Sequence, residues 1–184
     1  MTAQTAICLL LGVTSFALSQ TPTKSELPRI DDPGVLAIEM AKALVSGDRD
    51  RFTALAATGK EMEDLLEAAQ PPATPQDRQY LKDKVIEILA GRRGDFDRFQ
   101  AMKKKAHVRE GAAVLFEVIK LEPIYVKDGM KKIRHSRLRM VQTLEGGKTE
   151  SFLISLDDMF LFARGWAFTS VRPGIARESR EYKY

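Results

Sequence analysis

The chain has 184 residues, with 29 Lys and Arg against 25 Asp and Glu and a formal net charge of +4. That length suits one domain with a sizeable buried core, and so modest a charge does not require a nucleic-acid partner. The single cysteine excludes an internal disulfide, and the lack of any asparagine excludes N-glycosylation of these residues.

The first segment, "AICLLLGVTSFAL", is an uncharged apolar run of signal-peptide length, too short to span a bilayer as a helix. Ala17-Leu18-Ser19 follows, with small residues at the −3 and −1 positions of a cut before Gln20. "MTAQ" lacks the usual basic residue ahead of the run, but the run has no amphipathic alternation to suit a surface helix. The expectation is therefore export, with residues 1–19 as a signal peptide and no transmembrane segment. Cys8 lies inside the apolar run, so the mature chain has no cysteine. Residues 20–31 read as a polar linker, 32–174 as a single domain, and 175–184 as a flexible tail of alternating charge.

Asp32-Pro33 opens the first predicted helix, because Asp accepts from free backbone N–H groups and proline suits the first turn. Leu36, Met40, Ala43 and Leu44 share one face, and Gly47 ends the run. Asp50 is the expected cap of a short second helix burying Phe52, Leu55 and Ala56. Thr58 and Glu61 have capping-box spacing ahead of Met62, Leu65, Leu66 and Ala69. "PPATP" breaks that helix, and Thr74-Pro75 starts another with Leu81, Val85 and Ile88 inside. "GRRG" reads as a further break before a last helix that buries Phe96, Phe99 and Met102. From about Val108 the apolar period changes from 3.6 to 2, so helices precede a run of strands, the mark of an α+β fold.

Apolar rows set the strand register. Leu138, Met140 and Leu144 share one side of a strand, and Phe152, Ile154 and Leu156 one side of the next. A two-residue turn at Gly146-Gly147 would put these rows on opposite faces. A three-residue loop, Glu145–Gly147, pairs Met140 with Phe152 and Leu138 with Ile154, with glycine where positive φ is required. Arg137 and Arg139 then point outward.

"MAKALVSGDRDRFTALAAT" and "TESFLISLDDMFLFARGWAFTS" resemble the opening helices and the closing Gly-Trp strand pair of the nuclear transport factor 2-like superfamily, which has a cystatin-like cone. The resemblance spans about residues 35–172. It implies N-terminal helices packed on a curved antiparallel sheet, with a pocket between helices and concave face. Enzymes of that superfamily carry an Asp, His or Tyr there as acid or base, and none matches residue by residue here. Tyr125, Phe160, Phe162, Trp166 and Phe168 are the candidate pocket residues, with the last four assigned by numbering parity to one face. The strand holding Phe160 and Phe162 is apolar on both faces, which suggests a homodimer through the sheet.

Among titratable residues, His135 shares parity with Arg137 and Arg139 and faces outward, while Asp157-Asp158 suits a strand-end turn. These three are the only acid–base candidates singled out. No metal-ligand spacing, cofactor motif, glycine-rich phosphate loop or nucleophile elbow is present. Lys131, Arg137 and Arg139 fall on one strand face as a candidate polyanion patch, but without interleaved aromatics to stack bases, so nucleic acid is not expected. Two functions stay open: a non-catalytic domain binding a small apolar ligand or a partner, and a small isomerase-, dehydratase- or hydrolase-type enzyme using a pocket carboxylate. The export reading has a direct check: the intact mass of the chain purified from its own host should correspond to a start at Gln20. A mass retaining Met1 to Ser19 would refute cleavage.

Overall fold

A computed structural model describes residues 29–69, 71–127, 129–169 and 172–178. The segment expected to be a signal peptide, most of the expected linker and the chain end after 178 lie outside the described residues. Four helices come first in the chain and pack with a curved antiparallel sheet, giving the expected α+β fold. No described helix is long and apolar enough to cross a membrane.

Helix α1, Pro33–Ser46, is capped by Asp32, whose carboxylate accepts from the backbone N–H groups of Gly34 and Val35 at 2.6 and 3.1 Å. Gly47 ends it with φ of 79°. Helix α2, Arg49–Leu55, is capped by Asp48 instead of Asp50, with Arg51 N–H donating to the carboxylate at 2.9 Å. The glycine turn leaves Asp48 as the last extended residue, while Asp50 falls in the first helical turn. Helix α3, Gly59–Ala69, has the expected reciprocal cap: Glu61 N–H donates to Thr58 Oγ1 and Thr58 N–H to Glu61 Oε2.

Helix α4 corrects the expected break. It runs unbroken through Gly91 and Gly94, from Pro75 to Lys105. Each mid-helix glycine costs about 1 kcal/mol relative to alanine. Burial of Phe96 and Phe99, worth roughly 1.5–3 kcal/mol each, outweighs that cost. Tertiary packing therefore carries the helix past a local signal to stop.

The sheet comprises β1 (Ala113–Leu121), β2 (Tyr125–Lys127), β3 (Met130–Thr143), β4 (Thr149–Phe162), β5 (Gly165–Phe168) and β6 (Gly174–Arg177). The long β3–β4 hairpin is its spine, flanked by β1 and β2 on β3 and by β5 and β6 on β4. Leu138 pairs with Ile154 and Met140 with Phe152, the register the apolar rows require. The hairpin closes over Glu145–Gly147, with positive φ at both Gly146 and Gly147. Residues 175–177, expected in a flexible tail, belong instead to β6. Ile175 pairs with Ile154 there, extending the sheet along a part of β4 that β5 does not reach.

One residue divides the sheet. Asp158 has φ of 52° in the middle of β4, and the buried rows change there. Before it, the even-numbered Phe152, Ile154 and Leu156 face the main core with α1; beyond it, the odd-numbered Met159 and Leu161 do. Phe160 and Phe162 then face a second core beneath α3 and the first half of α4, with Met62, Leu65 and Val85. Both faces of this strand are thus covered by the chain's own helices, so its double apolarity gives no argument for a dimer.

The Trp166 parity is corrected too. A two-residue turn pairs Phe162 with Gly165, so Leu161 faces Trp166, Met159 faces Phe168, and Phe160 faces Ala167. Gly165 itself has φ of 112°, and a Cβ there would lie 2.4 Å from the Ile30 carbonyl oxygen. That carbonyl accepts from Trp166 N–H at 2.6 Å, tying the chain's entry segment to β5. Gly165→Ala should lower stability by about 2–4 kcal/mol through combined strain and clash, read from urea unfolding. A change below about 0.5 kcal/mol would show that the entry segment is not held against β5.

Candidate functional site

The five candidate pocket residues do not share one cavity. Trp166 and Phe168, 3% and 0% exposed, belong to the main core. Phe160 and Phe162 belong to the second. Tyr125 lies across Lys132, which pairs in turn with Phe160, so Tyr125, Lys132, Phe160 and Ala167 form one row across four strands. The space between α1 and the facing side of the sheet is filled by the side chains of the main core.

The acid–base candidates are likewise engaged. Asp158 bonds the ammonium of Lys132, a buried side chain whose Nζ also sits 4.8 Å from the Phe160 ring centroid. Asp157 directly faces His135 across the β3–β4 ladder, with Oδ1 and Nδ1 2.6 Å apart. Antiparallel register causes this pairing, since opposite residues bring their Cβ atoms within bonding reach. His135 is outward, as expected, with its side chain 54% exposed. The carboxylate partner was missed in the sequence because it lies 22 residues away. A His–Asp pair in the open lacks the water-excluding walls that proton-transfer catalysis uses.

The anion-patch residues are also separated. The change of rows near Asp158 puts Lys131 on the row of buried Ile133, whereas Arg137 and Arg139 stay outward. Arg139 is gripped by Glu178 through Nε and Nη2 at 3.0 and 3.1 Å, and its Nη1 reaches Glu117 at 3.2 Å. Hydrogen bonding to Glu178 holds the Arg139 guanidinium above its usual pKa. Its charge is therefore neutralised locally, which weakens the polyanion expectation.

The structure assembles a different concavity, an open groove of about 730 Å³ between α2 and α4. Phe52, Leu89 and Phe96 supply apolar walls, and Arg49, Arg92 and Arg93 supply charge. Arg92 is 8% exposed and donates from Nε to the Thr169 carbonyl at 2.8 Å and from Nη1 to the Ala57 carbonyl at 2.5 Å. It thereby fastens α4 to the end of β5 and to the α2–α3 connection. Burial pushes its pKa down to about 10. Below that pH the folded state carries the full cost of a buried cation, and the cost fades as pH rises beyond it.

Beside the groove, Arg164 pairs with Glu61 at 2.9 Å and donates to the Ala56 carbonyl at 2.6 Å. The sequence did contain a signal for Arg92. Val85, Arg92, Phe96 and Phe99 recur at spacings of seven, four and three, one helical stripe, and all four are buried. Reading "GRRG" as a break concealed it.

Comparison with known proteins finds no matching family model, no matching curated protein and no matching solved structure.

The two side-chain pairs that join β3 to β4, His135 with Asp157 and Lys132 with Asp158, should differ in weight. His135→Ala should cost less than about 1 kcal/mol, because its partner contact is exposed. Lys132→Ala should cost about 2–3 kcal/mol, since it strips a buried stem and leaves Asp158 unpaired. Urea unfolding of both variants checks the ranking, and equal losses would contradict it.

Proposed function

We propose that this chain is an exported, non-catalytic domain of the nuclear transport factor 2-like kind that holds a small ligand in the groove between α2 and α4. The carrying observation is the groove itself. Its volume of about 730 Å³ falls within the roughly 300–1,000 Å³ of small-molecule sites, and apolar walls surround a few fixed polar groups, the usual make-up of such a site. Helices preceding a curved sheet are consistent with the resemblance. The ligand seat moves to the groove because the space between helices and sheet is filled by the main core, whereas half-buried Leu89 and Ala54 leave the groove apolar surface beside its arginines.

The enzymatic alternative draws less support, because Asp158 is occupied by Lys132 and Asp157 by His135. An interaction role has one observation in its favour. Strand β1 pairs only with β3 among the described residues, and it exposes Val114, Leu115 and Ile119, with Leu115 at 69%. An unpaired apolar edge favours addition of another strand, as in a homodimer.

Native mass spectrometry of the chain purified gently from its host tests these readings together. A retained mass of a few hundred daltons is the expected result and identifies the ligand class. A ligand-free dimer would transfer the role to the β1 edge. A bare monomer would overturn both and return the enzymatic alternative to the front.

A further inference from the structure

Arg92, Lys103 and Lys132 are the buried cations among the described residues. Two of them have a carboxylate within 4 Å: Lys103 has Glu110 at 3.7 Å, and Lys132 has Asp158. Arg92 has none there, only two carbonyl oxygens, and its Nη2 is buried with no hydrogen-bond partner among the described residues. Glu61 acts on Arg92 only from a distance, because its own carboxylate is committed to Arg164 and to the Thr58 N–H. A buried guanidinium with an unmatched donor is costly, and proteins ordinarily supply it with an anion.

The surroundings are biased the same way. Arg49 and Arg93 line the groove with Arg92, against one acid, Asp50. Arg49 is tied to Asp97, whereas Arg93 makes no ion pair among the described residues. Among the remaining lining residues, half-buried Leu89 and Ala54 offer apolar surface next to this charge, while Phe52 and Phe96 are buried in the main core. Cation beside apolar wall is the complement of an amphiphile: a head group for the guanidinium fork and a hydrocarbon body for the apolar wall at Leu89 and Ala54.

We infer that the groove takes an amphiphilic ligand with an anionic head group, a carboxylate or phosphate ester, bound at Arg92 with Arg93 at the rim. This rests on the ligand-binding reading above and names the ligand's chemistry. Nη2 is closed to solvent, so the head group engages it by shifting lining side chains. Binding is then a desolvated contact with a charge already held in place by the Thr169 and Ala57 carbonyls.

The test titrates the mature chain with decanoate, decyl phosphate and decanol by calorimetry. At least one of the two anions should bind about tenfold or more tightly than decanol, as expected for one charge-assisted contact, and whichever binds tighter distinguishes the two head groups. Arg92→Lys keeps the charge and loses the fork, and should erase most of that advantage, read as the ratio of anion to decanol affinity measured in the same variant. Should Arg92→Lys fail to fold by circular dichroism, Arg93→Gln replaces it, with an expected drop of a few-fold for the anion alone. Equal affinity for decanol and both anions would overturn the anionic head group while leaving the groove as a ligand site. Binding of none of the three would overturn the amphiphile, with the ligand-binding reading still decided by native mass spectrometry. An anion preference untouched in a folded Arg92 or Arg93 variant would place the contact elsewhere and overturn the proposal.

Discussion

The change of faces along the β3–β4 hairpin is the constraint from which the rest of the architecture follows. A strand alternates its side chains between two faces, so a regular β4 would give its even-numbered residues to a single core throughout. With Asp158 at φ of 52°, the odd-numbered residues take over the main core beyond that point, and Phe160 and Phe162 are left facing the other way. Leaving two large aromatics on a solvent face would be unfavourable, and α3 with the first half of α4 covers them. Two cores, one on each side of the same strand pair, are the result.

That arrangement makes the length of α4 intelligible. Its first half lies over the second core through Val85, and its second half enters the main core through Phe96 and Phe99. Arg92 sits between these halves, where α4 passes the α2–α3 connection and the end of β5. A lysine there would offer a point charge to two carbonyls set apart. Guanidinium geometry reaches both, with Nε toward Thr169 and Nη1 toward Ala57. Because the helix spans both cores without interruption, the groove beside α2 is bounded by a rigid wall rather than by a loop.

Position relative to solvent separates the polar groups by role. His135 and Asp157 meet on an open face, and Arg139 is shared between two glutamates. Such contacts contribute little to stability and are screened by salt. Lys132 and Asp158 sit at the residue where the faces change, so their pairing accompanies the turn in the strand. Arg92 differs from all of these in being buried without a carboxylate partner. Its role as a tether and its proposed role as a ligand contact are compatible, because the tether uses Nε and Nη1 while Nη2 remains without a partner.

Local and periodic features were legible in the sequence by itself. Asp32-Pro33, Thr58 with Glu61, and Thr74-Pro75 marked helix starts because capping is chemistry between residues two or three apart. The β3–β4 register followed from matching apolar rows across a short loop, since a one-residue slip would invert every buried side chain. The Asp50 cap was a local misreading of the turn at Gly47, and most of the other errors arose where residues distant in sequence meet. Gly91 and Gly94 read as a break until Phe96 and Phe99 were packed against the core, and the parity of Trp166 relative to Phe160 depended on a two-residue turn. Asp157 and His135 became partners only when the hairpin set them opposite one another. The groove, too, belongs to tertiary structure: Arg92 is an ordinary helical arginine until α2, the α2–α3 connection and β5 enclose it, and burial is what turns its charge into an unmet demand.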